Sequence, residues 1–127
     1  MKGLEITSYD GKGYKPLVDF ESWRVALING ASDYQAAHIT SLSCHCETDE
    51  IFVLLKGSCL LLIGGNGDVP GEVEKVWLEE GLLYNVTKGT WHNECLMPGA
   101  KVLIVENANT SGANSRDYQL PEAITLG

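Results

Sequence analysis

The side chains best suited to chemistry in this chain lie at residues 43–50, which read Ser-Cys-His-Cys-Glu-Thr-Asp-Glu. Thiolates, imidazoles and carboxylates are the groups that bind transition metals in proteins. In a strand, residues two apart point to the same face. We therefore expect Cys44, Cys46 and Glu50 to point together if the intervening loop keeps the register. With one histidine, such as His92, they would offer two sulfurs, one oxygen and one nitrogen.

This donor set predicts a zinc site. Thiolates are soft ligands and favour zinc over magnesium or manganese. If all four residues bind the metal, the site is closed and structural. If Glu50 stays free, it acts as a general base beside a zinc-bound water, and His92 is the other half of an acid–base pair.

Strands must position these residues. Runs rich in Val, Ile, Leu, Trp and Thr, separated by Gly, Asn, Asp or Pro, predict strands at residues 23–28, 39–46, 51–55, 58–63, 73–78, 82–86 and 101–106. The Lys-Gly pair at residues 56–57 predicts the turn of a β-hairpin. Residues 107–116 predict a polar surface loop, and residues 121–124 predict a short C-terminal helix that begins with Pro121. Many short strands in one chain predict an all-β sandwich or barrel.

Size and charge argue against several classes of function. The chain has 127 residues, which suits one domain around one core. Its net charge of −8 argues against nucleic acid or an anionic membrane as a partner. The N-terminus lacks an apolar stretch of signal-peptide length, and the apolar runs are too short to span a bilayer. We therefore expect a cytoplasmic protein whose cysteines are reduced.

Residues 44–57 resemble the first motif of the cupin superfamily. That motif has two histidines separated by one residue, then a glutamate after three or four more residues, then a glycine after six. Glu50 and Gly57 match it in type and spacing. With the shorter spacer, Cys44 and Cys46 occupy the histidine positions.

Residues 81–92 resemble the second cupin motif. That motif has a glycine, a proline six positions later, a second glycine two positions further on and a histidine after two more residues. Gly81, Gly89 and His92 match, whereas Thr87 replaces the proline. The two motifs together are more specific than either alone.

The resemblance implies how the domain is organised. A small double-stranded β-helix, or jelly roll, with little helix would span residues 1–127, with the motif core at residues 39–106. Strands within residues 1–36 would contribute to a dimer interface, because a small jelly roll leaves edge strands that need covering. A twofold homodimer is the default for such a chain.

A second register places a different histidine in the site. With the longer spacer of the first motif, Ser43 and His45 fall at the two histidine positions. The metal-binding group is then His45, Glu50 and His92, which has the residue types of the iron-binding facial triad. This register needs an extra residue bulged before Glu50, so the sequence favours the two cysteines as ligands.

A third interpretation is that the metal site has been altered or lost. Free cysteine behaves as a small apolar residue, so a pocket lined by Cys44 and Cys46 would become more apolar without collapsing. The sequence then predicts a cupin-type protein of open biochemical role, with no metal, that binds a small polar metabolite such as a carbohydrate or an organic acid in its barrel pocket.

The alternative function is a zinc-dependent small-molecule enzyme of the lyase, isomerase or hydrolase type. Its catalytic residues would be Glu50 and His92, and zinc or another divalent metal would be the cofactor. Arg24 and Lys88 are the candidates for contacts with a substrate carboxylate, and Asn93 and Glu94 are candidates for polar contacts near the pocket mouth.

Overall fold

The computed structural model of the chain describes residues 2–30 and 38–125. The predicted interface segment, residues 1–36, and the predicted domain, residues 1–127, lie partly outside the described residues. Within the described ranges the chain forms ten strands and one short 3₁₀ helix, Gly112–Asn114. The strands are β1 (Gly13–Phe20), β2 (Trp23–Asn29), β3 (His38–His45), β4 (Glu50–Lys56), β5 (Cys59–Ile63), β6 (Glu74–Trp77), β7 (Tyr84–Val86), β8 (His92–Leu96), β9 (Lys101–Asn107) and β10 (Ser115–Thr125).

The strands form two five-stranded antiparallel sheets. The first sheet has the order β1-β2-β9-β4-β7, and the second has the order β10-β3-β8-β5-β6. From β6 to β10, successive strands alternate between the two sheets. This arrangement confirms the predicted all-β jelly roll. No helix in the described ranges is long and apolar enough to cross a membrane.

The first core cluster lies between the two sheets. Alternate residues of each strand point inward, as the period of two along a strand requires. The buried members are Ala26, Phe52, Leu54, Cys59, Leu61, Leu78, Val86, Val102 and Ile104, drawn from both sheets. Burial of this apolar surface is the main favourable term in folding the domain.

A second core cluster covers the opposite face of the second sheet. Its buried members are Leu42, Cys44, Leu60, Leu62 and Trp91. Tyr118, Leu120 and Ile124 of β10 pack against it. Strand β5 supplies alternate residues to both clusters, so the four consecutive residues from Cys59 to Leu62 are all buried. The strand is therefore covered on both of its faces.

The prediction of a β-hairpin at residues 56–57 is wrong. Strand β4 pairs with β7 and β9, whereas β5 pairs with β6 and β8. The tight connection therefore passes from one sheet to the other. Two apolar runs around a glycine fit facing strands of two sheets as well as paired strands of one, and the sequence pattern alone does not separate these cases.

Gly57 makes this crossing possible, and its replacement by alanine is expected to destabilise the protein. Its φ is +79°, and an added Cβ would lie 2.7 Å from the Cα of Ala100. Gly65 has a φ of +76° with open space around it, so Gly65→Ala carries only the backbone strain of about 1 kcal/mol. Gly57→Ala should cost a further ~1–3 kcal/mol because the backbone of Ala100 must move. Denaturant unfolding of the two variants would measure the difference, and equal losses would contradict the close approach.

The predicted C-terminal helix at residues 121–124 is also wrong. These residues belong to β10, an edge strand that pairs with β3. The pairing is interrupted between Gln119 and Ile124, and Pro121 lies in this interruption, where its missing N–H removes no ladder bond. The predicted loop at residues 107–116 is shorter than expected, because β10 begins at Ser115.

Strand β1 lies at the edge of the first sheet. It pairs with β2, and a bulge between Pro16 and Val18 interrupts the pairing. The exposed aromatic residues Phe20 and Trp23 lie where the two strands connect. The predicted homodimer stays a prediction, which sedimentation at several protein concentrations would check.

Candidate functional site

Several strands carry a polar residue at the end of their row of inward-facing side chains. In β4, Glu50 precedes the buried Phe52, and in β9, Glu106 follows the buried Ile104. In β2, Arg24 lies two residues before Ala26 and directly opposite Glu106. Because these rows share one parity, their polar members converge at one end of the space between the sheets.

A cavity of about 410 Å³ opens at this polar end. Its volume is in the range of pockets that hold small ligands. Its lining residues come from both sheets and from the segment before β10: Tyr14, Arg24, Ile28, Ser43, His45, Glu50, His92, Asn93, Glu94, Ile104, Glu106, Thr110, Ser111, Gly112, Ser115 and Asp117.

Three of these side chains meet at one point. The Nε2 of His92 lies 2.9 Å from the Oε1 of Glu50, and the Nε2 of His45 lies 3.2 Å from the same oxygen. One ligand atom from each residue lies within 4.8 Å of the others. The side chains of Glu50 and His92 are 8% and 4% exposed, and that of His45 is 19% exposed. The group is therefore shielded from bulk water but reachable from the cavity.

The outer nitrogens of both imidazoles have partners of their own. The Nδ1 of His92 lies 3.0 Å from the carbonyl oxygen of Thr90, which can only accept, so Nδ1 carries a proton and donates it. The Nδ1 of His45 lies 2.8 Å from the Oγ of Ser115. When Nδ1 donates this hydrogen bond, the ring of His45 is held, like that of His92, with its Nε2 towards Glu50. In a neutral ring the Nε2 lone pair of His92 would then face the carboxylate of Glu50. A cation, either a proton or a metal ion, is needed between these two acceptors.

The turn at residues 87–90 connects the two histidines. The N–H of Gly89 donates to the carbonyl of His45 at 2.9 Å, and the carbonyl of Thr90 accepts from His92. The turn is closed by a hydrogen bond from the N–H of Thr90 to the carbonyl of Thr87. One short segment therefore contacts the ring of His92 and the backbone of His45, although the two histidines come from different strands.

The structure does not bring the two cysteines to this group. Cys44 shares the parity of Leu42 and packs in the second core cluster, on the face of the sheet away from the cavity. Cys46 lies beyond the end of β3 and is exposed. The residue that points into the cavity is His45, as in the second register. The favoured two-thiolate arrangement differs from the structure because the loop at residues 46–49 crosses between sheets and does not preserve strand parity.

The hydrogen bonds set the charge of the group. Burial alone would raise the pKa of Glu50, but the hydrogen bonds from His45 and His92 outweigh it and lower the pKa to about 2. Burial opposes the charged form of His92, yet its hydrogen bond to Glu50 raises the pKa of the imidazole above its ordinary value of 6.5. In the metal-free protein the two histidines therefore stabilise the ionised carboxylate of Glu50.

Acid is expected to destabilise the metal-free protein through Glu50. Because its pKa is lowered, the stabilisation is complete above the ordinary value of 4.5 and is lost as the pH falls towards about 2. The loss would be at most about 3 kcal/mol. His92 acts in the opposite direction, because its raised pKa gives stabilisation below pH 6.5 that fades as the pH rises.

Denaturant unfolding from pH 5 to 2.5 would test the effect of Glu50. Glu50→Gln should flatten the pH dependence relative to the wild type, whereas Glu72→Gln, at an exposed position, should leave it unchanged. A wild-type slope that persists in Glu50→Gln would mean that other carboxylates dominate acid unfolding.

The far wall of the cavity holds an ion pair. The Nη2 of Arg24 lies 3.3 Å from the Oε1 of Glu106, and its guanidinium also donates to the carbonyls of Ala108 and Thr110. The hydroxyl of Tyr14 donates to the same carboxylate oxygen at 3.2 Å. The sequence interpretation missed Glu106, although its parity with the apolar residues of β9 was the signal that could have placed it inside.

The predicted contact residues divide between the cavity and the surface. Arg24 lines the cavity, but its guanidinium is already bound by protein groups. Glu94 lines the cavity next to the three-residue group, and burial followed by the charge of Glu50 raises its pKa to about 7. Lys88 is exposed and is not a lining residue.

A second cavity of about 420 Å³ shares no lining residue with the first. It is lined mainly by apolar residues of β5, β6 and β7, including Leu61, Val76 and Val86. None of His45, Glu50 and His92 lines it. The chemistry of the molecule therefore concentrates in the polar cavity.

No protein-family model and no curated protein matches the chain. Solved structures do match it. A cupin-2 domain-containing protein from Shewanella frigidimarina is 17% identical, with 78% of this chain and 84% of that chain covered and a TM-score of 0.54. QdtA, a sugar 3,4-ketoisomerase from Thermoanaerobacterium thermosaccharolyticum in complex with TDP, is 13% identical, with 83% and 84% covered and a TM-score of 0.58. The WlaRB TDP-quinovose 3,4-ketoisomerase from Campylobacter jejuni is 19% identical, with 72% and 67% covered and a TM-score of 0.57.

Proposed function

We propose that this chain, which has the cupin fold, is a metal-dependent protein that binds a small polar metabolite beside its metal ion. The metal ligands are His45, Glu50 and His92. The observation that supports this assignment most is the position of the two Nε2 atoms, 2.9 and 3.2 Å from one carboxylate oxygen. The protonated outer nitrogen of His92 leaves its Nε2 lone pair directed at the place where a cation would lie.

The donor set fits a divalent first-row metal. Two imidazoles and one carboxylate occur both in catalytic zinc sites and in non-haem iron sites. Ser43 stands where the first histidine of the first motif would lie, and it also lines the cavity. The group therefore supplies three protein ligands and leaves coordination positions that face the cavity. A metal bound there would act as a Lewis acid on an oxygen of the metabolite.

We infer enzymatic activity of the isomerase or lyase type. The side chain of Glu94 faces the same cavity and can accept or hold a proton near the bound metabolite. Thr90 and Ser115 hold the two imidazole rings in fixed orientations, so substrate binding need not reorganise them. Two of the similar structures are described as sugar ketoisomerases, which agrees with this reaction type.

Elemental analysis of the full chain tests the proposal. Protein purified without chelator or metal-affinity tag should contain about one equivalent of a divalent first-row metal. Chelation followed by titration with zinc or iron(II) should restore one equivalent. Protein that holds less than about a tenth of an equivalent, and that takes up neither ion on titration, would contradict the metal site.

A second candidate function is a metal-free binding protein. The hydrogen bonds from His45 and His92 to Glu50 make a stable group when the imidazoles are protonated, as the lowered pKa of Glu50 indicates. The cavity would then bind its metabolite through these polar groups alone. A metabolite that raises the Tm equally in the presence and absence of chelator would favour this function over the metal-dependent one.

A further inference from the structure

Glu94 is the cavity carboxylate that the proposed metal site does not use. It lies two residues after His92 on β8, so its side chain faces the same cavity. Among the described residues, neither a hydrogen bond nor an ion pair reaches its carboxylate. A carboxylate held in a shielded cavity without a partner either takes up a proton or pairs with a cationic ligand.

The cations of the cavity are already engaged. Arg24 is the only arginine or lysine among the lining residues that the structure describes. Its guanidinium pairs with Glu106 and donates to two backbone carbonyls. The two histidines are directed at Glu50. The Nε of Arg24 is buried without a hydrogen-bond partner, but the charge of the guanidinium is already paired with Glu106. No unpaired positive charge is therefore left for an anionic ligand among these lining residues.

The far wall adds to the negative potential. The side chain of Glu106 is 5% exposed, and its Oε2 has no hydrogen-bond partner among the described residues. The single arginine therefore does not satisfy both oxygens of this carboxylate. Asp117 contributes a further carboxylate at the rim. Glu50 would be neutralised by the metal, and Glu106 is paired with Arg24, so Glu94 is the inner carboxylate without a positively charged partner in the protein.

We propose that the metabolite carries a protonated amine, which pairs with Glu94 while an oxygen of the same molecule faces the metal-binding group. This inference rests on the proposed function and names its substrate class: small amino-bearing polar metabolites such as amino sugars. Phosphorylated sugars, nucleoside diphosphates and dicarboxylates are disfavoured as ligands. Their negative charges would be repelled by Glu94 and Glu106, and no unpaired cation would compensate them.

Three sugars that differ only at carbon 6 test this charge preference. They are 6-amino-6-deoxy-D-glucose, D-glucose and D-glucuronate, which are cationic, neutral and anionic at pH 7. Calorimetric titration of the zinc-loaded full chain should give the tightest binding for the amine and the weakest for the acid. One charge-assisted hydrogen bond should make the affinity for the amine at least ~10-fold higher than the affinity for glucose.

Two variants assign the preference to one carboxylate. Glu94→Gln keeps the shape of the side chain and should bring the amine and glucose to within about twofold of each other, while zinc content stays unchanged. Glu72→Gln removes a negative charge at an exposed position and should keep the wild-type order. Equal binding of the three sugars, the reverse order, no binding of the amine, or an unchanged preference in Glu94→Gln would overturn the inference.

Zinc content separates this inference from the function on which it rests. Zinc is measured on the same samples that are titrated. If the protein binds zinc but shows no charge preference, only the substrate class is wrong. If it binds no zinc, the proposed function fails, and the inference fails with it.

Discussion

His45→Ala is expected to abolish metal binding, whereas Cys46→Ala is expected to leave it intact. The imidazole of His45 points at Glu50 from inside the cavity, while Cys46 is exposed next to it in the chain. Loss of a residue that only orients a ligand typically weakens metal affinity 10–100-fold, so loss of a ligand should weaken it by more than ~100-fold. Metal content after dialysis against a weak competing chelator would measure both variants.

The pair of variants also decides between the two registers. Cys44→Ala adds a second control, since its thiol packs in the second core cluster and not in the cavity. Circular dichroism and unfolding curves would establish that each variant is folded. If Cys44→Ala or Cys46→Ala loses the metal while His45→Ala keeps it, the thiolate register is correct and the assignment of the ligands is wrong.

Trp91→Ala is expected to cause the largest loss of stability among single tryptophan substitutions at described positions. The side chain is 1% exposed, and its indole N–H donates to the carbonyl of Gly67 at 2.9 Å. Tyr118 packs against its ring edge, and the guanidinium of Arg116 lies 5.1 Å from the ring centre. Removing a buried aromatic side chain of this kind costs about 3–5 kcal/mol.

Trp77→Ala is the matched control, because this tryptophan is 54% exposed. It should cost less than about 1 kcal/mol, in line with surface substitutions. Denaturant unfolding at constant pH would compare the two variants, with the change in midpoint as the readout. Similar losses for both would mean that the second core cluster contributes little to the stability of the domain.

Much of the strand layout could be predicted from the sequence. The apolar runs around Ala26, Phe52, Leu61 and Val102 lie in strands as expected, because burial demands an apolar side chain at alternate positions. Strand β8 was implied only by the facing strand expected to carry His92, and strands β1 and β10 were not predicted. Strands β1 and β10 are edge strands with many polar residues, and β10 contains Pro121, so their periodicity is weak.

The site could be predicted only in part. Glu50 and His92 follow from the two motifs and lie together in the cavity. The sequence did not reveal whether the cysteines or His45 face the cavity, because the loop between β3 and β4 breaks the alternation of side chains along the chain. Cys44 lies on the same face of β3 as the apolar Leu42. An apolar row normally marks the interior of a barrel, but here the second sheet is buried on both faces, and this row lies on the outer one.

The double burial of β5 has a consequence for how the chain can diverge in evolution. A strand with one face in water can change at every second position without loss of packing. In β5 the four consecutive residues from Cys59 to Leu62 are each enclosed, alternately by one cluster and by the other. Selection on packing therefore acts on the whole strand, and β5 should drift more slowly than the cavity residues that determine which metabolite is bound.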